Sequence, residues 1–129
     1  MATKKAPKGR LRSLKVTDAF RAFVLDQLHE LDEVVPRAMF GGVGLYSRGV
    51  FFGILASDVL YLKVDDTNRR DYEQAGMTAF TPFPDRPASM SYFSVPLDVL
   101  ENASELAKWA RKSVDAARRV EGSARQALD

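Results

Sequence analysis

The side chains that most often carry out catalysis are scarce in this sequence. Cysteine is absent and His29 is the only histidine. His29 falls on the polar side of a predicted helix, and no second histidine or cysteine is present to complete a common nucleophilic triad. Without cysteine there is also no disulfide framework and no cysteine-ligated zinc site. We therefore predict a protein that is not an enzyme and that uses no cofactor.

Acidic side chains are densest between residues 65 and 73. A calcium site needs oxygen ligands that converge from a loop with a glycine at its tight turn, whereas basic residues intervene here. These acidic residues also fall where a helix N-terminus favours negative charge. We therefore predict helix capping, and no metal site, for Asp65, Asp66, Asp71 and Glu73.

Gly41, Gly42 and Gly44 form a glycine-rich segment that could cradle a phosphate. Such a cradle works when a helix N-terminus follows and directs its amides at the anion. Here a predicted strand follows instead. The segment therefore predicts a hairpin turn at Gly41 and Gly42 with positive φ, and a bulge or close backbone approach at Gly44.

Positive charge is concentrated at the N-terminus. The chain has a net charge of +2, but residues 1–16 contain six basic residues and no acidic ones, so the remainder is net negative. Such a segment has little to bury, and it predicts a disordered arm. The arm either contacts nucleic acid weakly without reading its bases or serves only as a solubilising tail. The arm residues concerned are Lys4, Lys5, Lys8, Arg10, Arg12 and Lys15.

Two further surfaces could contact a partner. The first is a basic face on the predicted long helix, opposite Trp109, and the second is an apolar loop rich in proline. Each has a plainer interpretation, because basic residues are ordinary on solvated helix faces and loop aromatics commonly pack beneath a sheet. The residues concerned are Lys108, Arg111, Lys112, Arg118 and Arg119 on the helix, and Phe80 and Phe83 in the loop.

The pattern of apolar and turn-forming residues predicts the elements that position these side chains. Thr17 or Asp18 begins a helix with apolar residues at helical spacing, which Pro36 prevents from continuing. Four short β-rich runs follow at 37–40, 43–46, 50–56 and 59–64, separated by turns short enough for hairpins. Strands joined this closely form an antiparallel meander. A short helix ending before Gly76, a fifth strand at 90–95 and a long helix over 104–120 complete the prediction.

Length and composition bound the organisation of the chain. A length of 129 residues and a hydrophobic content of 46% suit one domain with one core. We expect a disordered basic arm over 1–16, a folded domain over 17–121 and a frayed tail over 122–129. No apolar run is long enough to span a bilayer, and none follows the basic N-terminus as in a secretory signal. A cytoplasmic protein without a membrane partner is expected.

Several segments in order resemble one family. They are residues 37–46 (RAMFGGVGLY), 51–53 (FFG), 60–65 (LYLKVD), 90–96 (MSYFSVP) and 106–110 (LAKWA). At this spacing they resemble the TfoX N-terminal domain family, over roughly residues 18–119. The resemblance implies an α+β domain with an antiparallel sheet, no enzymatic activity, no cofactor and no agreed set of binding residues. The motif residues are predicted to be structural: Met39, Phe40, Gly41, Gly42, Gly44, Tyr61 and Trp109.

The resemblance also implies a regulatory context. Full-length regulators of this family pair the domain with a C-terminal helical domain and act with the cyclic-AMP receptor protein at competence promoters. Residues after the predicted domain are too few for that second domain, so a stand-alone module is expected. We predict a non-enzymatic α+β binding module that acts on an unknown protein partner, as a monomer or homodimer. The alternatives are a DNA-associated protein that uses the basic arm, and an enzyme whose site is not recognisable from sequence.

Overall fold

A computed structural model of the chain describes residues 13–81 and 91–128. The helices and strands follow in a fixed order: α1 (Asp18–Gln27), β1 (Val34–Met39), β2 (Gly42–Ser47), β3 (Val50–Ala56), β4 (Val59–Lys63), α2 (Arg69–Gln74), β5 (Tyr92–Ser94), α3 (Leu97–Leu100) and α4 (Ala103–Leu128). Among the helices of this described part, none is both long and apolar enough to cross a membrane.

The five strands form one antiparallel sheet in the order β1-β2-β3-β4-β5, which confirms the predicted α+β meander. Each of the first three connections is a two-residue turn whose central residues both have positive φ. Two such residues make a type I′ turn, whose twist matches that of the flanking strands. The turn residues are Phe40–Gly41, Arg48–Gly49 and Ser57–Asp58. The prediction that Gly41 and Gly42 form the first turn is therefore wrong by one residue.

The main core lies between one face of the sheet and the helices α1, α3 and α4. Thr17 caps α1 by accepting a hydrogen bond from the Phe20 amide at 3.2 Å, as the sequence predicts. Trp109 of α4 is half-buried against this core, and its ring meets that of Tyr72 edge-on at 4.8 Å between centroids. The fully buried side chains include Val24, Leu28, Leu45, Phe52, Leu55, Leu62, Leu106 and Ala110.

A smaller apolar cluster lies on the opposite face of the sheet. It contains Leu14, Ile54, Ala56, Phe80 and Tyr92, with Met39, Phe51 and Tyr61 packed against it. Alternation along β4 divides the two faces, because Leu60 and Leu62 are buried in the main core while Tyr61 belongs to this second cluster. Both faces of the sheet therefore contribute to stability.

The segment 13–16 does not belong to a disordered arm, contrary to the prediction for residues 1–16. Leu14 is buried, and its carbonyl accepts a hydrogen bond from the Ser57 amide at 3.2 Å. The Ser57 hydroxyl donates to the Ser13 carbonyl at 2.7 Å. One buried apolar side chain and two hydrogen bonds from Ser57, one from its amide and one from its hydroxyl, fix this segment on the turn between β3 and β4.

The two edges of the sheet differ. The outer side of β5 is occupied by residues 78–80, since the Phe80 amide donates to the Tyr92 carbonyl at 2.7 Å. On the other edge, Met39 pairs with Gly42 across a two-residue turn, which makes every second pair in the ladder hydrogen-bonded. Pro36 then occupies a position whose amide would point outward from β1. As proline has no N–H group, that position offers no donor.

Helix α4 is longer than the predicted helix over 104–120, since it continues through residues predicted as a frayed tail to Leu128. Gly122 does not stop it because the residues around Gly122 include alanine, glutamate, arginine and glutamine, which favour helix. Val120 of α4 is exposed, whereas Ala117 is buried. The core contacts of α4 therefore end near Ala117.

Candidate functional site

The predicted basic face of α4 is divided between two sides of the helix. On one side, Lys112 pairs with Asp71 at 2.9 Å and Arg119 pairs with Asp65 at 2.7 Å. On the other side, Arg111 donates to the carbonyl of Glu30 at 3.1 Å. Lys108 pairs with Glu105 of its own helix at 3.5 Å. These side chains do not form one continuous docking surface, because neighbouring acidic residues and carbonyls hold them in different directions.

Asp65 is tied into the fold. Its Oδ1 accepts hydrogen bonds from the amide and hydroxyl of Thr67, while the Arg119 guanidinium donates to its other oxygen. The hydrogen bond from Arg119 holds the pKa of the Asp65 carboxyl well below its usual range. The predicted capping role is only partly met, because the N-cap of α2 is Asn68 and Asp71 alone lies in its first turn. Asp65 stabilises the preceding loop instead.

The described part of the chain contains no group of three or more histidine or acidic side chains that could hold a metal ion. His29 is exposed just after α1. Burial raises the pKa of the Tyr72 and Tyr92 hydroxyls, so both stay protonated at neutral pH and neither is suited to act as a base. Both rings belong to the apolar clusters described above.

The two loop aromatics and the basic arm have different outcomes. Phe80 is buried, and its ring lies 4.8 Å from that of Tyr61, so the prediction of an exposed apolar lip is wrong for Phe80. Lys15 is exposed beside the buried Leu14. The remaining residues of these two predictions lie outside the described part of the chain: Lys4, Lys5, Lys8, Arg10, Arg12 and Phe83.

The glycine-rich segment brings backbones and rings close together. A Cβ atom on Gly42 would lie 2.6 Å from the backbone oxygen of Leu55, a distance that no side chain tolerates. A Cβ atom on Gly44 would lie 3.3 Å from the Phe51 ring and 3.4 Å from Met39. The predicted close backbone approach lies at Gly42 and not at Gly44, whose neighbours are side chains. The bulge also lies elsewhere, since the register shift falls between Leu45 and Tyr46.

Phe40 differs from the other residues predicted to be structural. It is the first central residue of the turn between β1 and β2, with φ of 51°, and 79% of its surface is exposed. Left-handed backbone costs a non-glycine residue about 1–2 kcal/mol, and asparagine or aspartate is the usual residue at this position of a type I′ turn. A large aromatic ring is thus held in solvent at a position that local stability disfavours.

Strand β1 continues this exposed surface along the edge of the sheet. Val35 is 46% exposed, and Arg37 and Ala38 are also exposed. The Arg37 guanidinium lies 5.3 Å from the centroid of the Tyr46 ring, and no described carboxylate lies within ion-pair distance of it. We call Val35, Arg37 and Phe40 the edge surface. It combines apolar, aromatic and cationic groups, a composition enriched in protein interfaces.

Comparison with known families settles the classification. The model of the TfoX N-terminal domain family matches residues 26–117. The chain belongs to the TfoX N-terminal domain family. This match covers all five strands of the sheet, including the whole edge surface, and extends into α4. No curated protein matches the sequence.

Within this TfoX N-terminal domain, the family match includes the edge surface but not the contacts that hold the N-terminal segment. The edge surface lies inside the matched segment, whereas Leu14 and Thr17, which fasten the N-terminal segment to the turn at Ser57 and Asp58, lie outside it. The edge surface does not follow from the sequence, because the glycine pattern predicts the first turn at Gly41 and Gly42. The register of β1 with β2, which leaves only Phe40 and Gly41 unpaired between them, is visible only in the folded sheet.

Proposed function

We propose that this TfoX N-terminal domain is a non-enzymatic binding module that docks a protein partner through its edge surface, with Phe40 as the anchor. The observation that carries the proposal is the exposure of Phe40 in left-handed backbone. Strained residues held by a well-packed surrounding structure are concentrated at functional sites. Aromatic and arginine side chains supply most of the binding energy at protein interfaces.

The chemistry of the edge surface defines the partner. A ring that projects from a turn fits an apolar pocket on the partner, where it becomes fully desolvated. Arg37 lies on the same strand and carries a charge that no described carboxylate neutralises. The partner surface is therefore an apolar pocket with an acidic rim. Membership of the family supports a partner from the transcription machinery, in keeping with the resemblance described above.

The experiment compares protein capture by the intact chain and two variants. Phe40→Asn removes the ring and places asparagine at a turn position that asparagine favours, so the fold is retained. Leu97→Asn is the matched control, because Leu97 is 66% exposed but lies in α3, away from the edge surface. Each immobilised chain is incubated with an extract of the cells in which the protein naturally occurs, and the retained proteins are quantified.

The proposal expects a protein that is retained by the intact chain and by Leu97→Asn, and whose retention by Phe40→Asn falls by at least about tenfold. Arg37→Glu should reduce retention of the same protein and make the remaining binding less dependent on salt. Equal retention by all variants, or no protein retained by the intact chain above a blank matrix, contradicts the proposal.

A further inference from the structure

A cleft of about 210 Å³ lies between α4 and the turn that joins β2 to β3. Its apolar floor is formed by Leu31 and Val114, both of which are buried. Its rim carries charged side chains from three separate parts of the chain. The complete lining is Leu31, Asp32, Ser47, Arg48, Arg111, Val114, Asp115 and Arg118. Drug-sized ligands occupy about 300–1,000 Å³, so this cleft suits a smaller group.

Three arginine side chains line this cleft, and each retains free donors. Arg48 pairs with Asp32 at 3.1 Å, and Arg111 gives one hydrogen bond to the Glu30 carbonyl at 3.1 Å. A guanidinium carries five N–H donors, so both keep several available. Arg118 has no ion-pair or hydrogen-bond partner among the described residues. The cleft therefore has more donors than its own carboxylates occupy.

The turn that supplies Arg48 resembles the Phe40 turn in its backbone. Arg48 has φ of 48°, at the same turn position where asparagine is usual. Its amide donates to the Glu33 carbonyl at 3.3 Å, and the neighbouring Ser47 hydroxyl donates to the Asp32 carbonyl at 2.6 Å. These bonds fix the turn against the segment after α1. They hold the Arg48 guanidinium at the rim despite the unfavourable backbone.

Asp32 indicates that the cleft accepts anions. Its carboxylate is an anion of this chain that already lies against Arg48, yet its side chain is 69% exposed. Surface ion pairs of this kind contribute only about 0–1 kcal/mol, so an external anion with better geometry can displace it. Arginine binds phosphate through two parallel hydrogen bonds, and a dianion gains from more than one guanidinium.

We propose that this arginine cleft binds the phosphate group of a phosphomonoester, held by Arg48, Arg111 and Arg118, with the Asp32 carboxylate as a competitor that turns outward on binding. Asp115 lies on the same rim and adds a second negative charge. Three guanidinium groups against two carboxylates leave one net positive charge. The site is separate from Phe40, the proposed anchor of the edge surface, because the turn at Arg48 lies at the opposite end of β2 from the turn at Phe40.

The experiment is a titration of the ¹⁵N-labelled chain with inorganic phosphate, followed by amide chemical shifts and compared with sodium chloride at equal ionic strength. Phosphate should shift the amides of residues 47–49 and of α4 around residue 115, and chloride should not. Arg118→Gln should weaken phosphate binding by at least about fivefold, because a charge-assisted hydrogen bond is lost. Asp32→Asn should strengthen it, because the competing carboxylate is removed.

The matched control is Arg70→Gln, which removes another exposed arginine that lies outside the cleft and should leave phosphate affinity unchanged. If Asp32→Asn fails to fold, Asp115→Asn tests the same charge effect on the rim. Phosphoserine and adenosine 5′-monophosphate, titrated separately, distinguish a phosphorylated side chain from a free nucleotide as the source of the group. Shifts that chloride reproduces, or an affinity that Arg118→Gln does not change, would overturn the proposal.

Discussion

Two hairpin turns at the same end of the sheet have the same backbone geometry, but one is hydrogen-bonded to the N-terminal segment and the other is exposed to solvent. Phe40–Gly41 and Ser57–Asp58 both place two residues at positive φ. The Asp58 carboxylate accepts hydrogen bonds from the Thr17 amide at 2.8 Å and the Thr17 hydroxyl at 3.0 Å, and Ser57 is bonded to residues 13 and 14. Phe40, by contrast, is almost entirely exposed.

The same cost of left-handed backbone is compensated at one turn and not at the other. At Ser57 and Asp58, small polar residues tolerate left-handed backbone, and their hydrogen bonds fasten the N-terminal segment and cap region of α1. At Phe40 no such compensation exists within the described structure, because the ring has little contact with the rest of the chain. One turn therefore stabilises the fold, and the other depends on the fold to hold an exposed ring in place.

The largest expected effect comes from adding a side chain at Gly42, where β2 passes close to the backbone of β3. Gly42→Val should destabilise the fold by about 3 kcal/mol, because its Cβ would lie 2.6 Å from the Leu55 carbonyl oxygen and the two strands must move apart. Gly41→Ala is the control: it has open space but φ of 86°, and should cost about 1–2 kcal/mol. Urea unfolding measures both. Equal losses would show that turn conformation, not strand approach, governs this hairpin.

The second prediction concerns Leu14, which holds the N-terminal segment against the turn at Ser57 and Asp58. Leu14→Ala should lower the free energy of unfolding by about 2–3 kcal/mol, because Leu14 is buried in the smaller apolar cluster beside Ile54 and Phe80. Leu97→Ala, which removes an exposed leucine, should change it by less than about 0.5 kcal/mol. If Leu14→Ala has as small an effect as Leu97→Ala, the N-terminal segment is not fastened as described.

A smaller loss is expected for the polar contact at that turn. Asp58→Ala should cost about 1–2 kcal/mol, since it removes both acceptors for Thr17 and places alanine in left-handed backbone. Asp58→Asn keeps one acceptor and a residue that tolerates positive φ, so its loss should be clearly smaller. Thermal unfolding of the two variants side by side provides the measurement. A greater loss for asparagine would show that charge, not geometry, matters there.

The smallest effect has the opposite sign. Phe40→Asn should stabilise the fold by about 0.5–1 kcal/mol, because asparagine relieves the backbone cost and the exposed ring contributes little packing. Chemical denaturation of Phe40→Asn and the intact chain would reveal this gain. A net loss of more than about 1 kcal/mol would mean that the ring supports the fold, and the contrast between the two turns would disappear.

Much of the fold follows from local sequence patterns. The β3 prediction coincides with the observed Val50–Ala56, because an apolar run bounded by turn residues leaves few alternatives. Gly76 lies just beyond α2 with φ of 71°, as expected of a residue that ends a helix. These features depend on neighbours within a few positions, and such neighbours are visible in the sequence.

The candidate sites depended on contacts between distant residues. Three nearby glycines all tolerate positive φ, so local preference could not decide that Phe40 occupies the turn; the approach of the Leu55 carbonyl to Gly42 decides it. The division of basic residues on α4 was accessible in principle. Arg111 and Arg118 are seven residues apart and share a side, as do Lys112 and Arg119, while a step of one residue turns the helix by about 100°.

Pro36 limits the self-association of a chain that exposes the Phe40 ring. An edge strand with a free donor at every outward position invites a second copy to extend the sheet, and repeated extension leads to aggregation. Pro36 interrupts that row in the middle of β1, beside the exposed Val35. The chain can therefore expose the apolar Phe40 ring without offering a continuous row of backbone donors through which identical molecules could polymerise.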